Sequence, residues 1–119
     1  MNEIPIVIIK EKEAYQFWLL IHRDFPKVER MGIGNKIEKT FLELLELTFT
    51  SAYLQPEQKI IALARAISKL DMLKFFVQLA WEIKLIPNVK FAELIKKFEE
   101  IGRMLGGWKK GLQTKTPAK

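Results

Sequence analysis

The 119 residues contain no cysteine and a single histidine, His22. The missing cysteines remove disulfide frameworks, thiolate nucleophiles and sulfur-ligated zinc, and one imidazole alone cannot supply a histidine-rich metal site. There is no glycine-rich phosphate loop of the Walker or Rossmann type, and neither Ser51 nor Ser68 stands in a G-x-S-x-G setting. Glu38, Glu43 and Glu46 are not followed by the histidine that a Glu-x-x-His di-iron motif requires. Side-chain catalysis needs a nucleophile with its base, two carboxylates in different surroundings, or ligands at metal spacing. The inventory therefore points away from an enzyme, with no cofactor and no metal expected. His22 shares its helical face with Tyr15, Trp18 and Leu19 and reads as a packing residue. Long apolar runs are also missing: Ile4 to Ile9 is too short for a bilayer, has no basic region before it and no small-residue cleavage site after it. A cytoplasmic protein without a membrane partner is expected.

What is present is apolar material in helical register. Hydrophobic residues make up 49% of the chain, enough for one core. A first helix is predicted from about Lys10 to Asp24 and is stopped at Phe25-Pro26-Lys27, because proline disfavours the α region for the residue before it. The second starts between Arg30 and Gly34 and runs to about Leu54, burying Ile33, Ile37, Phe41, Leu44, Leu45 and Thr48. Gln55-Pro56-Glu57 opens a third that reaches about Leu85, with proline at the first helical position and Glu57 complementing the dipole. Beyond Leu73 this helix is apolar over more of its circumference than one core contact requires, which suggests a second contact there. Asn88 is the expected N-cap of the fourth, whose stripe of Phe91, Leu94, Ile95, Phe98, Ile101, Leu105 and Trp108 ends at Gly106-Gly107 or shortly after. Short connections make sequential helices pack side by side. The expectation is an all-α antiparallel up-down four-helix bundle over residues 1–110, a disordered basic tail over 111–119, and Ile4 to Ile9 as a short extended N-terminal arm.

The charge is unevenly placed. Residues 1–83 carry 11 Lys/Arg and 11 Asp/Glu, whereas residues 84–119 carry nine basic residues against Glu93, Glu99 and Glu100. A basic end of this kind is the footprint of a protein that meets nucleic acid or another polyanion. Lys96, Arg103 and Lys110 recur every seven residues and so form one stripe. Glu93 can reach Lys96 and Lys97, and Glu99 and Glu100 can reach Arg103, each pairing worth only about 0.2–0.5 kcal/mol. Lys109 and Lys110 follow the last acid and are the least compensated. Gly102 interrupts a strong helical pattern at a cost of up to about 1 kcal/mol relative to alanine, which suggests that another backbone comes close there.

The segment Glu100-Ile101-Gly102-Arg103-Met104-Leu105-Gly106-Gly107-Trp108 resembles the signature end of the accessory variability determinant family of diversity-generating retroelements. Phe25-Pro26-Lys27 with Arg30, Gly34 with Ile37-Glu38, and Leu44-Leu45-Glu46-Leu47 resemble the family's first joint and second helix, so the likeness covers nearly all of residues 4–110. Gly32 departs from that pattern, standing where a larger residue is expected. The resemblance implies a basic four-helix bundle that forms a homopentamer, binds the element's reverse transcriptase and contacts template RNA or cDNA during mutagenic retrohoming. Carried onto this chain, it implies polymerase or nucleic-acid contact at Lys96, Arg103, Lys109 and Lys110, and close packing within or between subunits at Gly102, Met104, Leu105 and Trp108. One rival expectation is a purely structural oligomerising module related to the four-helix proteins encoded by intervening sequences of 23S ribosomal RNA genes. Another is a small-molecule bundle enzyme, which the residue inventory disfavours.

Overall fold

A computed structural model describes residues 5–115. Four long helices account for most of them: α1 (Ile6–His22), α3 (Asn35–Ser51), α4 (Pro56–Glu82) and α5 (Asn88–Lys115), with a single turn, α2 (Lys27–Glu29), and a π-helical turn (Arg30–Gly34) between the first two. Each long helix packs against its neighbours in sequence, and α1 also packs against α5, which closes the bundle as an up-down square. The all-α four-helix expectation stands, in a particle 51 × 22 × 22 Å.

The expected N-terminal arm is instead the start of α1. Pro5, at φ −58° and ψ 144°, is its N-cap, and Ile6 to Ile9 are helical, while Ile4 lies outside the described residues. The β-branched run suits a strand by propensity, but burial decides the outcome. Val7 and Ile8 are 4% and 3% exposed, and tertiary packing of that size outweighs propensities of a few tenths of a kcal/mol per residue. Extending the helix by one turn places Val7, Ile8, Glu11, Ala14, Trp18 and Ile21 on the buried face. Leu19, expected on that face, lies instead on the outside.

The other stripes fall largely as their periodicity predicts. Ile37, Phe41 and Leu44 of α3, Leu63, Leu70, Leu73 and Val77 of α4, and Leu94, Phe98, Ile101 and Leu105 of α5 are fully buried. Phe41 is the hub, with Tyr15 edge-on at 5.4 Å and Phe98 tilted against it at 5.6 Å. Buried hydroxyls return to their own helices: Thr40 donates to the Lys36 carbonyl and Ser51 to that of Thr48, each at 2.8 Å.

Two helix ends differ from expectation. Asn88 is the first residue of α5 and does not cap it. Its Oδ1 accepts the indole N–H of Trp81 at 2.7 Å, while the Pro87 carbonyl accepts the first helical bond from Phe91. Gly106-Gly107 does not stop α5, which continues to Lys115, so residues 111–115 are helix and the remainder of the expected tail is outside the described residues. With no glycine available after α4, that helix closes on a lysine. The Leu85 N–H bonds the Ala80 carbonyl and the Lys84 N–H bonds that of Trp81, both at 2.9 Å, which puts Lys84 in the left-handed position at φ 68°. This closure ordinarily takes glycine.

Candidate nucleic-acid and partner surface

The basic row survives folding and is less neutralised than its spacing suggests. Lys96, Arg103 and Lys110 are exposed along α5, and Lys109 is half-buried beside them. Two of the three acids expected to neutralise them are engaged elsewhere. Glu93 reaches Lys97 at 3.9 Å and Glu100 reaches Lys10 of α1 at 3.7 Å. Among the described residues, no carboxylate oxygen lies within 4.0 Å of Lys96, Arg103, Lys109 or Lys110. Cations with no carboxylate in contact are available to phosphate, the interaction that dominates nucleic-acid affinity, although Glu93, Glu99 and Glu100 lie on the same face and dilute the field. Lys97 differs from its neighbour: besides Glu93 it stands 5.5 Å above the Phe17 ring, and it serves the α1–α5 seam.

The residues singled out for subunit packing separate into kinds. Leu105 is fully buried in this chain's own core. Met104 and Trp108 are half-buried against that core and line a shallow hollow with Pro5, Ile6 and Val7. Lys59 of α4 stands 5.8 Å from the Trp108 ring, which ties the two helices together. The close backbone approach expected at Gly102 is not there: a Cβ would make only ordinary contacts, with Leu70 Cδ2 at 3.4 Å and Lys74 Nζ at 3.8 Å. A Cβ on Gly106 or Gly107 would meet nothing within 4 Å, so no neighbour explains these two glycines.

A second surface lies on α4. Ile61, Met72 and Phe75 are 55%, 47% and 60% exposed, and beside them Leu47 of α3 helps line a hollow of about 590 Å³ edged by Arg65 and Lys69. It differs from the broadening expected beyond Leu73: Ile61 and Met72 precede that point, only Phe75 follows it, and Leu73, Val77 and Ala80 are buried in the core. Contiguous exposed apolar surface of this kind marks interaction sites on soluble proteins.

Three features escape a reading of the sequence. Glu11 is completely buried, its Oε2 2.8 Å from Thr48 Oγ1 and its Oε1 without a partner, and burial pushes its pKa up to about 8 against the lowering effect of Thr48. The signal is present, since Glu11 stands seven residues before Trp18, but it is hidden once the preceding run is taken for an arm. His22 is indeed a packing residue, stacked on Trp18 at 4.9 Å and edge-on to Phe25, with Nδ1 3.2 Å from Glu38 Oε1. Gly34, the second such feature, is what admits it: a Cβ there would overlap the ring, with Cδ2 at 2.7 Å. Lys84 is the third. Among the described residues no three metal-ligating side chains converge, and no helix is long and apolar enough to cross a membrane.

The fold and surfaces define an antiparallel helical bundle with a cationic row on one helix, an apolar face on another, and no convergent set of catalytic groups among those described. A family model described as bAvd-like matches residues 6–112, and the chain belongs to that family of accessory variability determinant proteins, whose role is accessory and non-catalytic. No curated protein and no solved structure matches the chain.

Proposed function

We propose that this protein is a non-enzymatic accessory subunit of a diversity-generating retroelement, binding the element's reverse transcriptase and holding template RNA or cDNA by phosphate contacts so as to support mutagenic retrohoming. Family membership supplies the context, and the observation that carries the nucleic-acid part is the row of Lys96, Arg103, Lys109 and Lys110, which has no carboxylate partner among the described residues. In this reading the polymerase does the chemistry and the bundle supplies position and charge. Contacts of this kind carry no base information directly, so binding tolerates many sequences. The test is binding of structured RNA and of an RNA–DNA hybrid at low and moderate salt, comparing the natural protein with the Lys96, Arg103, Lys109, Lys110 quadruple alanine variant. Salt-sensitive binding that the folded variant loses supports the reading. Equal binding by both proteins, or none by either, removes α5 as the nucleic-acid surface.

A homo-oligomer, a pentamer by family resemblance, is the second part of the proposal. The exposed Ile61, Met72 and Phe75 of α4 favour it, and they equally favour the rival in which assembly is the whole function. Salt separates the two: a purely structural module assembles without acquiring salt-sensitive affinity for RNA.

A further inference from the structure

At one end of the bundle the α1–α3 joint and the α4–α5 joint lie side by side, tied by Lys90 Nζ at 3.9 Å from Asp24 Oδ2. Ile86 of these joints is buried, but four of their aliphatic side chains point away from the core. Val28 is 76% exposed, Met31 70%, Ile83 53% and Val89 81%. Single exposed aliphatics are ordinary, but four across the end of a particle only 22 Å wide form a patch. The same two joints carry exposed cations. Arg23, Lys27, Arg30 and Lys84 are all exposed, and among the described residues none has a carboxylate within 4.0 Å. Residues 23–31 and 83–90 together hold Arg23, Lys27, Arg30, Lys84 and Lys90 against Asp24 and Glu29.

Two features hold this end in a defined shape. The π-helical turn that carries Met31 is seated by Gly34 beneath the His22 ring, itself clamped between Trp18 and Phe25. Lys84 occupies a left-handed backbone position where glycine carries no steric penalty, at φ 68°. A lysine in that position puts a cation beside Ile83 at the expense of local stability, the pattern found where backbone strain serves a site.

From these observations we propose that this end of the bundle docks an acidic, amphipathic segment of a protein partner, whose apolar side chains settle on Val28, Met31, Ile83 and Val89 while its carboxylates meet Arg23, Lys27, Arg30 and Lys84. A helix of about 15 residues spans 22 Å. Nucleic acid fits this end less well than protein does, because aliphatic tips offer no face for base stacking. The nearby aromatic pair is not free, since Trp81 and Phe91 stack on each other at 4.4 Å and Trp81 gives its N–H to Asn88. The surface is distinct from the basic row of α5, and the proposal does not depend on what that row binds.

The probe is a fluorescently labelled helical peptide of about 15 residues with leucine on one face and glutamate on the others, titrated with the full chain and followed by anisotropy. Control peptides replace leucine by serine or glutamate by lysine, and vesicles mixing phosphatidylcholine with phosphatidylserine test a lipid surface. The acidic leucine peptide is expected to bind and both controls to fail, with affinity falling about tenfold in the Met31→Ser, Val89→Ser double variant. Since both side chains are exposed, that variant should keep its helical circular dichroism. Lys84→Gly is the decisive second variant: it is expected to raise the melting temperature by a few degrees and yet weaken the peptide about threefold. Failure of the acidic peptide to bind, unchanged affinity in both variants, equal binding of the serine control, or preferential capture by the vesicles would each overturn the proposal.

Discussion

Glu11 Oε2 lies 2.8 Å from Thr48 Oγ1, and neither residue has any exposed surface. Thr48 Oγ1 is also 3.0 Å from the Leu44 carbonyl, and a hydroxyl has only one proton to give. If Glu11 is protonated on Oε2, its O–H serves Thr48 and the Thr48 proton serves Leu44, so that both hydrogen bonds form and only the uncharged Oε1 is left without a partner. If Glu11 is ionised, Thr48 must choose between two acceptors while a charge stays buried. The geometry and the upward shift to about 8 therefore agree on a neutral acid at physiological pH.

The pH dependence follows with a definite sign. Between the ordinary carboxylate value of 4.5 and about 8, the folded chain holds a proton that the unfolded chain has released, so stability falls as pH rises through this window. The local slope approaches about 1.4 kcal/mol per pH unit. Glu11→Gln keeps the shape without the titration, and it is expected to flatten the urea-midpoint profile from pH 5 to 8 and to exceed the natural protein in stability at pH 8. Parallel profiles for the two proteins would show that Glu11 is not the group responsible.

Glycine-to-alanine substitutions should divide by what each new Cβ meets. In an open helical position alanine is favoured by up to about 1 kcal/mol, so Gly106→Ala and Gly107→Ala, with nothing within 4 Å, are expected to stabilise the chain. Gly34→Ala places its Cβ against the His22 ring and 3.1 Å from the Glu29 carbonyl, where the ring is wedged and backbone cannot yield cheaply. Overpacking of this kind costs about 1–3 kcal/mol and outweighs the propensity gain. In a His22→Ala background most of that cost should vanish, giving a coupling of at least about 1 kcal/mol in a double-mutant cycle. Additive effects of the two substitutions would deny the contact.

These positions also show what the sequence reveals and what it conceals. Core stripes repeat at the helical period, so Phe41, Leu70, Phe98 and their neighbours are legible, and with them the fold. Ile4 to Ile9 reads as an arm because a β-branched run resembles a strand until Val7 and Ile8 are known to have a surface to bury against. Gly106-Gly107 reads as a stop by composition, yet α5 continues through it to Lys115 and nothing crowds either glycine. The basic row of α5 is visible because it lies within one helix. The cationic end is not, because Arg23, Lys27 and Arg30 fall in the part of the sequence where charges cancel while Lys84 lies more than fifty residues further on, and only the closing of the bundle brings them to one end. Gly34 and His22 are twelve residues apart, and no local pattern announces that one is kept small for the other.

The α4 face makes a prediction about assembly. Met72→Glu with Phe75→Glu replaces exposed apolar surface by charge without touching the core, so helical content should be unchanged. If this face joins subunits, light scattering should show the assembly reduced to single chains, since burying two unpaired carboxylates is prohibitive. A variant that assembles like the natural protein would place the joint elsewhere.

Adjacent lysines on α5 offer the sharpest check on the basic row. Lys97 is committed to Glu93 and Phe17, whereas Lys96 has no carboxylate within 4.0 Å among the described residues. Substituting alanine at Lys96 should leave stability within about 0.5 kcal/mol and lower the slope of log affinity against log salt for RNA by about 1. The same change at Lys97 removes an exposed ion pair and a cation–π contact, together about 1 kcal/mol, and should move the melting curve more than the salt slope. A single net charge is lost in both variants, so any general effect of protein charge on RNA binding is the same for the two. If the slopes change equally, attraction is diffuse and the row has no defined contact; if only Lys96 changes it, a phosphate is held at that position.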